Sequence, residues 1–341
     1  MQSTNKRVLV TGAAGFIGRH LCDHLLGCGF VVRALVRKGS SNLIKPAMNL
    51  EPFVGDLLDA EILEQACKDM DIIVHLAALA HVSSSTQEQL QKINVQGTKL
   101  LLAAAHKHKV QRFIFMSSIL AAKTDAQEFP TTAYGRAKLT AEKLVMSQPN
   151  TRHMKCVILR PVNVYGPGMR GNLALLISLI SRRLAFPIPR LQTSISLVGV
   201  NDVCDAVSLV IMSKSACDKI YTLTDGVHYM ISEIEDAIYK QAGRNSPTIR
   251  MPLLLLYATC LGVESLRKFL GILGIRIRLI DSFGMKTYKN LTKDNLFGNE
   301  EITRDLGFRP KTNFYQSLAQ IIEDMDSSDN GTANERPRKY L

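Results

Sequence analysis

The stretch "VTGAAGFIGRH", Val10–His20, decides how the chain is read. Three glycines, Gly12, Gly15 and Gly18, follow directly on the apolar run Val8-Leu9-Val10. Placed between a strand and a helix, each has its own physical task. Gly12 permits a tight turn, Gly15 lets the backbone approach a diphosphate, and Gly18 lets the helix pack closely on the sheet. The helix that starts at Phe16 and Ile17 then offers free N–H groups and its positive dipole end to the anion. A glycine triplet alone is a weak signal. Set inside a β-α-β unit, it is a dinucleotide-binding signature.

Outward from this turn, short β-branched runs alternate with helical periodicity. The strand candidates are Arg7–Thr11, Val31–Val36, Leu50–Val54, Ile72–Leu76, Arg112–Met116 and Cys156–Leu159. Helical patterns lie between them at Phe16–Cys28, Ala60–Cys67, Thr86–His108 and Ala133–Met146. This alternation predicts an α/β fold, a Rossmann-type doubly wound parallel sheet with right-handed crossovers. After Pro161 the rhythm changes, with helical or strand pieces at Asn201–Met212, Lys219–Leu223 and Ile231–Gln241. The expected organisation is a dinucleotide-binding domain over 1–165 and a smaller C-terminal substrate-binding lobe over 166–326, interleaved with the sheet. The polar end, 327–341, reads as a disordered tail.

Composition sets the outer bounds. Of 341 residues, 46% are hydrophobic and 21% charged, as in an ordinary globular protein. The seven cysteines are scattered, with no C-x-x-C pair, so they read as reduced core thiols and no structural metal is expected. The reduced cysteines lead to the expectation of a cytoplasmic protein, and Lys6 and Arg7 running directly into a short strand do not read as a secretory signal. The net charge of +12 suits an anionic small ligand or an anionic membrane surface. Nucleic acid is set aside as a partner because no basic-aromatic or zinc-finger motif accompanies the charge.

Two apolar blocks, "MPLLLLYATCLGV" and "LRKFLGILGIRIRLI", fall within 251–280. Glu264, Arg267, Lys268 and Arg276 interrupt them, so neither reads as a membrane span. Helices packed within the lobe are one reading. Peripheral attachment to an anionic membrane is the other.

The second strand ends Leu35-Val36-Arg37-Lys38, without the acid that would bind the ribose hydroxyls of NAD. Arg37 can instead pair with a 2′-phosphate, which favours NADP over NAD as cofactor. Further along, Tyr134-Gly135-Arg136-Ala137-Lys138 is a Y-x-x-x-K on a helix, so phenol and ammonium share a face. A nearby cation is expected to lower the tyrosine pKa, making Tyr134 a general acid or base at a carbonyl or alcohol. Ser117 and Ser118 end a parallel strand, where a hydroxyl can bind the same oxygen. His75 reads as a packed strand histidine rather than a catalyst.

Together these residues resemble the extended short-chain dehydrogenase/reductase family, of the NAD-dependent epimerase/dehydratase type. T-G-x-x-G-x-x-G at Thr11–Gly18 is its fingerprint. "GDLLD" (Gly55–Asp59) resembles its third-strand motif, which implies cofactor contacts for Asp56 and Leu57. "HLAA" (His75–Ala78) resembles the loop beside the cofactor, with Ala77 and Ala78. "NVQGT" resembles the central-helix motif, in which Asn94 props the active-site backbone. "RPVNVYGPG" (Arg160–Gly168) matches the segment after the sixth strand, placing Pro161 at the cofactor and Asn163 at the substrate. "VGVNDVCDAV" and "LGFRP" match later motifs, so the resemblance runs from about residue 6 to 325. It implies Ser118, Tyr134 and Lys138 as the catalytic set, Ser117 being the reserve for Ser118. Asn172 and Arg170 are the further substrate candidates. The family arginine before the V-x-V motif is replaced here by Ser194-Ile195-Ser196, so either Arg170 or Arg190 is expected to stand in for it or the ligand binds differently.

Within the family the chain is most similar to bacterial nucleotide-sugar enzymes of surface-polysaccharide (lipopolysaccharide) synthesis. The branch that reduces the 4-keto group of UDP-2-acetamido-2,6-dideoxy-hexulose, giving UDP-N-acetylquinovosamine, implies an NAD(P)-dependent ketoreductase. A UDP-hexose or UDP-N-acetylhexosamine 4-epimerase with tightly bound NAD is the alternative. A reductase of steroid-like ketones and a non-enzymatic dinucleotide sensor stand behind them. A dehydratase is disfavoured because Ile119 and Leu120, not carboxylates, follow Ser118. The family also implies a homodimer through Thr86–His108 and Ala133–Met146, possible membrane contact being confined to 251–280.

Overall fold

The computed structural model describes residues 6–80, 86–122, 130, 132–147, 154–184, 187–272 and 284–330. The chain divides into two compact units with interleaved segments. One comprises Met1–Val162, Val200–Asp225 and Gly298–Lys311, and the other Asn163–Gly199, Gly226–Phe297 and Thr312–Leu341.

In chain order, the first unit begins with β1 (Arg7–Thr11), α1 (Phe16–Gly27), β2 (Val31–Val36), β3 (Leu50–Val54), α2 (Ala60–Cys67) and β4 (Ile72–His75). It continues with α3 (Gln87–Leu90), which passes through a π-helical turn at Gln91–Gln96 into α4 (Gly97–Lys107). Then come β5 (Arg112–Met116), α5 (Ala133–Met146) and β6 (Lys155–Pro161). The second unit takes over with β7 (Asn163–Tyr165), α6 (Asn172–Ser181) and β8 (Ser194–Gly199). The chain returns to the first unit for α7 (Val200–Met212) and β9 (Lys219–Leu223), then supplies β10 (His228–Met230), α8 (Ile231–Gln241), α9 (Leu253–Ile272) and α10 (Met285–Thr292) to the second. The last helices are α11 (Glu300–Leu306), in the first unit, and α12 (Phe314–Asn330), in the second.

The main sheet has seven strands in the order β3-β2-β1-β4-β5-β6-β9. Every neighbouring pair is parallel, as strands joined by helical crossovers require. The strand order reverses between β1 and β4, and ligands of open α/β sheets bind at the carboxyl ends of such a pair. Alternation along the strands splits the core. Leu9, Ile73, Phe113, Phe115 and Ile158 join Leu63 of α2, Leu101 and Ala105 of α4, and Ala141 and Val145 of α5 in one buried cluster. Val8, Val10, Val74, Ile114 and Val157, also fully buried, point to the other face. There α1 lies beside α7, joined by His24 Nε2 and Ser208 Oγ at 2.9 Å. The Arg112 guanidinium closes the end of α7, donating to the carbonyls of Val210, Ser213 and Ala216 at 2.6–2.9 Å.

Two strands differ in their bounds from the sequence reading. The fourth strand ends at His75 rather than Leu76. The sixth runs Lys155–Pro161 because β9 extends the ladder as far as Pro161 opposite Leu223. β9 and α7 belong with the main sheet, although they follow the change of rhythm at Pro161.

In the second unit β10, β8 and β7 form a three-stranded sheet, β8 being antiparallel to β10 and parallel to β7. Tyr165, Tyr229 and Phe314 stack edge to face beneath it. The two apolar blocks expected around 251–280 begin as one continuous helix, α9. Its last residue is Ile272, and 273–280 lie outside the described residues. α12 runs to Asn330, four residues into the segment read as a tail, and 331–341 also lie outside the described residues.

Candidate functional site

The glycine turn follows β1 as the sequence predicts. Gly12 adopts φ +70°, a left-handed conformation, and a methyl group there would stand 2.7 Å from the Ala77 amide nitrogen. The backbones after β1 and β4 therefore touch at the point where strand order reverses. At Gly18 a methyl group would overlap the carbonyl oxygens of Gly12 and Ala13. Gly15 heads α1 and supplies no side-chain cap, which leaves the first-turn amides, Phe16 and Ile17 among them, to an outside acceptor. This cradle fits the diphosphate of a dinucleotide.

A buried polar chain holds the two loops in register. Thr98 donates its hydroxyl to the Asn94 carbonyl at 2.7 Å, so it accepts from His75 Nε2 at 3.0 Å. His75 Nδ1 then accepts from Thr11 Oγ1 at 2.7 Å, and that oxygen accepts the Ala77 amide at 3.2 Å. Burial and the Lys138 charge hold the His75 imidazole neutral, with its pKa lowered to about 3. Asn94 lies in the π-helical turn and grips the Leu79 peptide from both sides, accepting from its N–H at 2.7 Å and donating to its carbonyl at 3.2 Å. Ala77 and Ala78 lie between these two fixings.

The other named cofactor positions differ in character. Arg37 is exposed immediately after β2 and makes no ion pair among the described residues. Asp56 is exposed and accepts the Leu58 amide at 2.8 Å, a turn-forming bond, while Leu57 is buried. Pro161 ends β6.

Tyr134 and Lys138 lie one turn apart on α5, whose start is capped by Thr132 accepting the Gly135 amide at 2.8 Å. Between them, Gly135 lets the helix reach the chain that follows Ser118, because a methyl group there would overlap the Leu120 carbonyl oxygen. This contact ties the tyrosine helix to the serine loop. Ser118 Oγ accepts the Leu120 amide at 3.2 Å. The Ser117 hydroxyl is buried with no hydrogen-bond partner among the described residues.

Lys138 is 2% exposed and donates to the Met116 carbonyl at 2.7 Å, with its ammonium 4.5 Å from the centre of the Phe115 ring. Burial lowers its pKa to about 7, partly opposed by Glu142 one turn on. Glu142 is itself buried and clasped by Arg160 through two bonds of 2.8 and 2.5 Å. Tyr134 departs from expectation. Burial pushes its pKa up to about 12 rather than a cation lowering it.

The substrate candidates lie in the second unit. Asn163 begins β7 and Asn172 begins α6, and both are exposed. Arg170 is exposed and makes no ion pair among the described residues, whereas Arg190 pairs with Asp236 at 3.0 Å. Thr98, Glu142 and Arg160 carry no site signal in the sequence; Thr11, at the head of the fingerprint, and Gly135, inside the Y-x-x-x-K, do, though neither is named as a site residue there.

A model of the NAD dependent epimerase/dehydratase family matches residues 8–223. The chain belongs to that family. A UDP-glucose 4-epimerase of Vibrio cholerae is 30% identical over 264 residues, covering 73% of this chain and 79% of the relative. A 3-beta-hydroxysteroid dehydrogenase of Mycolicibacterium neoaurum is 28% identical, covering 93% and 90%. Among solved structures, the UDP-glucose 4-epimerase of Thermotoga maritima with UDP-glucose superposes with a TM-score of 0.74 at 21% identity, covering 94% and 99% of the two chains. The family's fold thus extends over nearly all of this chain.

Proposed function

We propose that this family member is a nicotinamide-dependent reductase of the 4-keto group of a nucleotide-diphosphate sugar, of the UDP-2-acetamido-2,6-dideoxy-hexulose type. The supporting observation is the joining of the Ser118 loop to the Tyr134–Lys138 helix at Gly135, with apolar Ile119, Leu120 and Ala121 where dehydration would need a carboxylate. Gly12, Gly15, Gly18, Phe16 and Ile17 would hold the diphosphate of the dinucleotide, and Asp56, Leu57, Ala77, Ala78, Asn94 and Pro161 its remaining parts. Arg37 would pair with the 2′-phosphate of NADP. When bound, the nicotinamide supplies the hydride.

The protein's own work is to hold the ketone and deliver a proton. Ser118 Oγ donates a hydrogen bond to the carbonyl oxygen, and Tyr134 donates the proton to the oxygen as negative charge develops on it. A phenol pushed up to about 12 stays protonated through the neutral range, which suits donation. Lys138 would hold the nicotinamide ribose, one turn along the helix from Tyr134. Asn163, Arg170 and Asn172 would bind the nucleotide sugar, and the second unit would thereby serve as the substrate lobe.

The Vibrio cholerae relative favours a second reading, a UDP-hexose 4-epimerase using the same three residues. Nicotinamide absorbance separates the two. With the UDP-4-keto sugar, the reductase oxidises one NADPH per product, and Arg37→Asp shifts its preference to NADH. The epimerase gives no net oxidation and interconverts UDP-hexoses. A homodimer through Thr86–His108 and Ala133–Met146 is part of the proposal on the family resemblance, and sedimentation velocity tests it.

A further inference from the structure

Helix α5 carries a third polar residue in line with Tyr134 and Lys138. Glu142 follows Lys138 by four residues, as Lys138 follows Tyr134, so all three share one face. Lys138 and Glu142 are each 2% exposed. A lysine and a glutamate at this spacing commonly form an ion pair. Here Arg160 of β6 takes both carboxylate oxygens, donating from Nε at 2.8 Å and from Nη2 at 2.5 Å. The Lys138 ammonium goes instead to the Met116 carbonyl.

The surroundings leave Glu142 as the charge that governs Lys138. His75 of β4 is held neutral, and Ser117 after β5, Asn94 of the π-helical turn and Thr98 of α4 are buried and uncharged. Arg112 stands at the opposite end of β5. Glu88 of α3, Lys92 of the π-helical turn, Lys99 of α4, and Arg136 and Lys143 of α5 itself are exposed, where water and salt screen them. Burial works to discharge the lysine, and Glu142 is the charge that opposes it. A direct ion pair with Glu142 would keep the charge but occupy the ammonium. A carboxylate so deep stays ionised when it is paired, and Arg160 supplies that pairing. We propose that Glu142 and Arg160 are positioning residues for Lys138: the carboxylate holds the lysine cationic without touching it, and the guanidinium, by occupying both carboxylate oxygens, keeps the ammonium free for the cofactor ribose. This inference rests on the reading of Lys138 as the residue that holds that ribose.

The titration of the lysine itself is the test, followed by NMR at its Cε methylene and assigned by the loss of that signal in Lys138→Met. Glu142→Gln lowers the midpoint by about one pH unit or more. Arg160→Met releases Glu142 to pair with Lys138, so the midpoint rises, and NADPH binds about tenfold more weakly because the ammonium is engaged. Replacing both partners, as in Glu142→Leu/Arg160→Met, leaves no buried charge unpaired and keeps the fold where a single variant loses it. Its midpoint also lies below that of the wild type, since the opposing charge is gone. In turnover, the alkaline limb of kcat moves to lower pH in Glu142→Gln, the direction required of a group that acts as a cation. An unchanged midpoint in folded Glu142→Gln or in the paired replacement overturns the proposal, as does a shift of the same sign in both single variants. The lysine titration needs neither cofactor nor ketone, so it can fail while the reductase reading stands. The predicted midpoints in a protein that reduces no keto sugar contradict that reading alone.

Discussion

Lys138 directs its buried ammonium at the Met116 carbonyl, 2.7 Å away and two residues before Ser118. The lysine that the proposed reaction places on the cofactor ribose is thus held by the end of the strand that leads to the serine. The arrangement costs stability at low pH. A lysine whose folded pKa is lowered from 10.5 to about 7 contributes most above its unfolded value and progressively less as pH falls toward 7.

Lys138→Met therefore removes a pH dependence as well as an ammonium. Between pH 6 and pH 9 the wild-type protein should gain about 2–3 kcal/mol of stability relative to this variant. Urea unfolding at the two pH values measures it. A constant difference between the proteins contradicts the buried, depressed lysine.

His75 produces a separate dependence at acid pH. Its folded pKa of about 3 lies below the usual 6.5, so its contribution is complete above 6.5 and is lost as pH falls toward 3. From pH 6.5 to 4 the loss should be about 3 kcal/mol. His75→Gln, which retains hydrogen-bonding capacity toward Thr11 and Thr98, should flatten this limb in acid-unfolding curves.

Tyr134→Phe removes the proposed proton donor without altering the fit of the ring. Turnover should fall by about 10²- to 10⁴-fold, while dinucleotide binding, read by fluorescence titration, is retained.

Gly135→Ala tests the contact that joins the two halves of the catalytic set. The added methyl group meets backbone at Leu120, which cannot rotate away as a side chain can. The variant should lose about 1–3 kcal/mol of stability and a larger share of kcat than of dinucleotide affinity. Equal losses in both would mean that the glycine serves general packing alone.

Much of this was legible in the sequence because it depends on local pattern. Arg7–Thr11, the glycine turn and α1 are specified by residues adjacent in the chain, and Y-x-x-x-K by helical period. The polar chain from Ala77 to Asn94 was not legible, since Thr11, His75 and Thr98 meet only after three elements pack. The raised pKa of Tyr134 was hidden for a related reason. Spacing shows that a cation is near, but not how deeply packing buries the phenol. Which strand of 166–326 joins the main sheet was not legible, because a parallel strand's partner is set by a distant crossover, here through α7 to β9.

The most direct test of the proposed reaction uses NADPH carrying deuterium at the transferable C4 position, with the UDP-4-keto-6-deoxy-N-acetylhexosamine. The account predicts one deuterium at sugar C4 per NADPH consumed, and none in Tyr134→Phe over the same interval. Keto sugar left without deuterium and NADPH left unconsumed, together with inversion at C4 of a UDP-hexose offered in a parallel reaction without added NADPH, would contradict reduction and establish epimerisation.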